Sequence, residues 1–148
     1  MKAVVWTKYG GPEGLELAEL ADPLPRDNEV RIRIHATTVT AGDCEVRMLR
    51  FRFPLSLVMR LYVGLLRPKR IRVLGQELAG VVDAVGANVE AFAPGDHVFA
   101  QTDFTMGAHA EYRCFPAEPG EDQGWIAPKP RNLSFEEAAS LPLGGLEA

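Results

Sequence analysis

Four side chains stand out as able to act on a bound molecule. Gln76 and Glu77 open a stretch of small and β-branched residues running from Gly75 to Val89, and Thr40 and Asp43 close a hydroxylated run from Thr37 to Cys44. The glycine ahead of Gln76 lets another group come close to the backbone, so a site at this strand would lie near the Gln76-Glu77 pair. The Thr40 to Asp43 segment supports two readings: it presents both side chains to a cleft, or it satisfies its own backbone through them. Other chemistries lack their parts. His97, His109 and Cys114 lie on separate segments with no Cys-x2-Cys or His-x3-His spacing, so no metal site is expected. No Gly-x-Ser-x-Gly elbow is present, and Ser56, Ser134 and Ser140 stand in cap or packing contexts. The acidic pair Glu136-Glu137 suits the positive end of a helix. A Gly-x-Gly-x-x-Gly turn for a dinucleotide is absent, so the sequence alone shows no complete catalytic apparatus.

The elements that must position these residues are mostly short strands. Lys2 to Thr7, Leu15 to Leu20, His97 to Ala100 and Gly107 to Cys114 read as strands between Pro/Gly turns. Val30 to Ala36 alternates, with Val30, Ile32 and Ile34 on one face and Arg31, Arg33 and His35 on the other, so His35 reads as an exposed or locally bonded imidazole. Ala79, Gly80 and the run behind them predict a buried strand. Trp125 to Pro130 is held extended by its prolines. Leu55, Val58, Met59, Tyr62, Leu65 and Leu66 recur at helical spacing, predicting an amphipathic helix that stops near Arg67-Pro68. Such a stripe is either core packing or a lid over an apolar pocket, with Leu55, Val58, Met59 and Tyr62 as the lid residues. Ser134 to Glu137 forms a capping box, with Leu133 as its staple, opening a second helix through Ala139. The expected fold is mainly β with short helices, a partly open barrel.

Composition narrows the partners. The 148 residues carry a net charge of −4, which offers no global reason to expect nucleic acid or a membrane. Eight cations and no acid fall between positions 46 and 76, an island of +8 on a body of −12. That island is a solvated surface or an anion site. Two cysteines make no disulfide framework, and the N-terminus runs into a strand with no signal peptide, so a reducing, cytoplasmic setting is expected. The apolar segment from Phe51 to Leu66 is broken by Arg52, Pro54 and Arg60 and is not a transmembrane helix.

Several motifs, in order, resemble one family. They are Tyr9-Gly10-Gly11-Pro12-Glu13, the Val39 to Asp43 loop, Gly75-x-Glu77-x-x-Gly80, Pro94-Gly95-Asp96-His97-Val98, Gly107-Ala108-His109-Ala110-Glu111-Tyr112, Pro128-Lys129-Pro130 and Phe135-Glu136-Glu137-Ala138-Ala139. The chain resembles the N-terminal, GroES-like domain of the medium-chain dehydrogenase/reductase superfamily, in its zinc-lacking, quinone-oxidoreductase-like branch. The resemblance implies a GroES-like domain over 1–130 and, over 131–148, the start of a helix toward a nucleotide-binding Rossmann domain that this chain does not contain. It implies an NAD(P)H-dependent, zinc-independent oxidoreductase that reduces a quinone, enone or activated carbonyl. NADPH would be bound mainly outside this chain, and the piece alone would be inactive. In zinc-dependent relatives the position of Gln76 is a histidine ligand and that of Thr40 a cysteine ligand, so both substitutions argue against zinc. The resemblance places Thr40, Asp43, Glu45, Gln76, Glu77 and Glu147 at the substrate and cofactor cleft, with Thr40 as hydrogen-bond donor to the substrate oxygen. Glu45 stands where a tyrosine often lines the nicotinamide, and Glu147 where a threonine is expected. Expected partners are a small-molecule substrate and a second copy of the chain, with no membrane and with nucleic acid disfavoured. The alternatives are a non-catalytic GroES-like module whose basic island takes RNA or an anion, and a zinc-type alcohol dehydrogenase with substituted ligands.

Overall fold

β-branched residues at alternate positions, cut by glycine and proline turns, produce an antiparallel framework of seven strands among the described residues. The structure is a computed structural model that describes residues 1–120 and 123–146. In chain order the elements are β1 (Lys2–Trp6), β2 (Leu15–Glu19), β3 (Glu29–Thr37), α1 (Ala41–Met48), α2 (Leu55–Val63), β4 (Glu77–Val85), β5 (His97–Gln101), β6 (Tyr112–Pro116), β7 (Trp125–Pro128), α3 (Phe135–Ala139) and α4 (Leu141–Leu146). Five strands form one antiparallel sheet in the order β6-β3-β4-β5-β7, so β6 and β7 are its edges. β1 and β2 pair as a separate hairpin, which touches the rest through bridges from Ala3 to Ala110 and from Val5 to Val73. The sheet curls into the half-barrel of a GroES-like domain.

β4 is the central strand, and its first four residues are all buried. Leu78 and Val82 join Val30, Ile32, Val98 and Phe115 in the barrel core, while Ala79 faces α3 at Ala138 and Ala139. Both faces are covered, so Leu78, Ala79 and Gly80 are small or apolar, and the buried Glu77 carboxylate is satisfied by hydrogen bonds. Gly80 is required by space: a Cβ on it would sit 2.2 Å from the carbonyl oxygen of Arg33 on the neighbouring strand. The expected capping box at Ser134 is present, with Leu133 packed beside it, although α3 runs for only five residues.

Two expectations need correction. The helix expected to reach Arg67 ends at Val63, because Gly64 adopts φ +147 and a Cβ there would meet the Arg67 carbonyl oxygen at 2.2 Å. The chain doubles back at that point, and the amides of Lys69 and Arg70 both donate to the Val63 carbonyl. The strand expected from Gly107 begins only at Tyr112, because Gly107 has φ +104 and the amides of Ala108 and His109 donate to the Gly75 and Leu74 carbonyls. The hydroxylated run from Thr37 closes by opening a helix, α1.

Candidate active site

The start of α1 meets the start of β4, and the meeting is built from the bottom by one buried carboxylate. Thr40 is the N-cap of α1, its hydroxyl accepting from the Asp43 amide at 3.1 Å. Asp43 returns the contact, with Oδ2 accepting from the Thr40 amide at 2.9 Å and from the Thr40 hydroxyl at 2.9 Å. Its other oxygen accepts from the Gly75 amide at 3.0 Å. Asp43 is 2% exposed, so its charge is balanced by these donors and by the positive end of α1. Of the two readings of this loop, backbone satisfaction is what Asp43 does.

Gly75 is fixed from several sides. It sits at φ +102, and a Cβ on it would lie 2.7 Å from His109. The Thr102 hydroxyl donates to its carbonyl oxygen at 3.0 Å, and the Thr102 amide donates to the Gln76 carbonyl at 2.7 Å. His109 donates from Nε2 to the Thr38 carbonyl at 3.0 Å, which sets its tautomer and commits the ring to the scaffold.

Gln76 projects from this frame half-buried over Gly42, where a Cβ would lie 2.5 Å from Gln76 Oε1. The Thr40 hydroxyl lies 3.2 Å from the same oxygen. A hydroxyl has one proton, and the closer, charged Asp43 oxygen holds it. Thr40 therefore does not act as the free donor that the resemblance implies. The Gln76 amide nitrogen, which makes no hydrogen bond among the described residues, is the donor left at this junction.

Glu77, adjacent in sequence, turns the other way. It is 3% exposed and accepts hydrogen bonds from the Thr38 hydroxyl and, at 2.7 Å, from the Leu143 amide in the first turn of α4. Its carboxylate clasps the loop after β3 to α4 and is spent on structure. Glu45 is exposed on α1, and Glu147 lies outside the described residues. Of the four lid residues, Met59 is half-buried against the core that contains Trp6 and Val63, whereas Leu55, Val58 and Tyr62 are exposed.

Two features had no clear signal in the sequence. An apolar cleft of 520 Å³ lies between the β1–β2 hairpin and the β3–α1 side, lined by Leu15, Leu17, Ile34, Ala36, Val39 and Leu74. It shares Asp43 with the polar junction but contains neither Thr40 nor Gln76. It arises from tertiary packing of residues that are far apart in the chain, so no local periodicity reports it. The second is His35, stacked on Phe135 with ring centroids 4.5 Å apart, while His97 lies 5.0 Å from the same ring. No group of three acidic, histidine or cysteine side chains able to hold a metal occurs among the described residues. Burial, reinforced by Glu29, pushes the Cys114 thiol up, making it a poor nucleophile at neutral pH.

Residues 26–125 match the alcohol dehydrogenase GroES-like domain. The chain is 32% identical over 148 residues to mouse synaptic vesicle membrane protein VAT-1 homolog-like, covering all of this chain and 30% of that protein. It is 31% identical over 142 residues to pig quinone oxidoreductase, covering 95% of this chain and 37% of that one. Escherichia coli quinone oxidoreductase complexed with NADPH superposes with a TM-score of 0.77 at 28% identity, over 99% of this chain and 39% of that structure. The chain thus spans about a third of the length of the curated relatives it matches. With the family's domain matched over most of the chain and the half-barrel formed around β4, the chain belongs to the alcohol dehydrogenase GroES-like domain family, in the quinone-oxidoreductase-like branch of the medium-chain dehydrogenase/reductase superfamily.

Proposed function

We propose that this chain is the substrate-side domain of an NAD(P)H-dependent oxidoreductase that works without zinc and reduces a quinone, enone or related activated carbonyl. The observation that carries the reading is the Gln76 amide. It stands half-buried at the α1–β4 junction, on a frame fixed by Asp43 and Gly75, with its N–H groups uncommitted among the described residues. A preorganised amide donor lowers the cost of negative charge developing on a carbonyl oxygen.

The donor set at the junction is a poor one for zinc. A carboxamide and a hydroxyl replace the imidazole and thiolate that ion prefers, and the neighbouring carboxylates, Asp43 and Glu77, are both engaged in hydrogen bonds that hold the frame. Residues for the nicotinamide end of a dinucleotide fit better. Gln76 and the Thr40 hydroxyl offer polar contacts, whereas exposed Glu45 would repel phosphate, so the phosphates belong outside this chain. When bound, the cofactor supplies the hydride, and this domain holds and polarises the acceptor. Residues 131–148 then lead toward the nucleotide-binding part.

A cofactor-oxidation screen of the intact protein against quinones, enones and aldehydes tests the proposal. Turnover is expected with at least one class, and Gln76→Leu is expected to lower kcat/KM by about 10- to 100-fold, the cost of one oxyanion donor. Failure of every class to react would sink the reading. Stoichiometric zinc in the active protein, with activity lost on chelation, would favour the zinc-type alternative instead.

A further inference from the structure

The solvent side of α2 has the wrong composition for an ordinary surface helix. Its inner positions are Ser56, Met59 and Val63, and Val63 is completely buried. Its outer arc holds Leu55, Leu57, Val58, Leu61 and Tyr62, which are 41–66% exposed, with no charged residue among them. Phe53 before the helix and Leu66 after it extend the patch at 82% and 87% exposure. Exposed cations flank it on both sides: Arg50 and Arg52 ahead of the helix, and Arg67, Lys69, Arg70 and Arg72 behind it. None of them is in an ion pair among the described residues, and Arg70 instead lies over the Tyr62 ring at 4.1 Å.

We propose that this face docks on the surface of an anionic lipid bilayer, with α2 lying in the interface plane. An apolar arc between cations is the composition of a helix that sinks its hydrocarbon side into the acyl boundary while its basic residues meet the headgroups. Nine residues rise only about 14 Å, so the helix lies on the membrane and cannot span its core of about 30 Å. The remainder of the chain is strongly acidic and is repelled by the same surface, which leaves the α2 face as the one that can approach. The net charge of the whole chain hides this, because it averages an island of +8 with a body of −12. A second copy fits poorly, since a two-fold contact across this face would set one cation cluster against its twin. RNA fits poorly as well, because the centre of the patch is aliphatic and gives bases little to stack on. The proposal stands independently of the oxidoreductase reading.

Vesicle flotation of the intact protein tests it. Binding is expected to vesicles of phosphatidylcholine with about 30% phosphatidylserine and not to phosphatidylcholine alone, and to weaken at high salt. The double variant Leu57→Glu/Leu61→Glu is expected to abolish flotation with an unchanged melting temperature. Arg67→Gln/Lys69→Gln is expected to weaken binding about tenfold. Absence of flotation with the anionic vesicles at low salt would overturn the proposal, even if the protein self-associates or shifts an RNA. Flotation that neither double variant weakens would overturn it too.

Discussion

α1 and α2 follow one another in the chain and have nearly the same length, eight and nine residues, and both bury a valine in one core, yet they start by opposite means. α1 begins in a complete capping box whose carboxylate is also tied to Gly75 across the fold. α2 has no side-chain cap and is anchored through the fully buried Val63 and the half-buried Met59, while its outer arc offers hydrocarbon to solvent. The polar start serves precision, because the Thr40, Asp43 and Gly75 amides all have assigned acceptors and Gln76 is placed by the result. The apolar helix serves adhesion. A site that must hold an atom within a fraction of an ångström is built the first way.

That contrast can be broken by substitution. The largest effect is expected from Asp43→Ala, which strands the Thr40 and Gly75 amides and removes the carboxylate half of the capping box, at a cost of about 3 kcal/mol in chemical denaturation. Val63→Ala is expected to cost about 2 kcal/mol from its cavity. If Val63→Ala proved the more damaging of the two, the division between a polar and an apolar anchor would be wrong. Thr40→Val is expected to cost about 1 kcal/mol, with Thr40→Ser restoring it, because serine keeps the cap. The smallest change belongs to Leu57→Ser/Leu61→Ser, expected within about 0.5 kcal/mol of the parent because neither side chain packs inside. A loss of several degrees in melting temperature there would show that the outer arc of α2 is covered after all.

Much of this was legible in the sequence, for reasons that differ by element. β3 and β4 announced themselves because one- and two-sided burial leave period-two and unbroken apolar patterns. The box at Ser134 was legible because a cap is a local, four-residue device. α2 was harder. Its apolar residues have helical spacing, yet the residue that anchors it, Val63, lies outside the stripe the spacing picks out, and the stripe largely faces solvent. Periodicity finds the apolar face of a helix but does not say whether the protein is on that side. The site shows the same limit. The sequence singles out Gln76 and Glu77 as a polar pair at the mouth of a strand, but their division of labour depends on Thr38, Leu143 and Asp43, which lie far from them in sequence. The stop at Gly64 was missed because the pre-proline rule pointed four residues later, to Pro68, and only the close approach of Arg67 shows why glycine had to end the helix first.

The two margins of the sheet carry a consequence for how the chain behaves in concentrated solution. β6 finishes on Pro116 and β7 on Pro128, so each margin ends on a residue with no N–H to offer. β7 has only four residues, and in an antiparallel ladder about two of its amides point outward. A stray strand from another molecule would gain a couple of bonds there against the entropy of being ordered, too little to start a fibre. Crowding is therefore expected to be resisted at the sheet, and any stickiness of this chain to trace back to the leucines of α2.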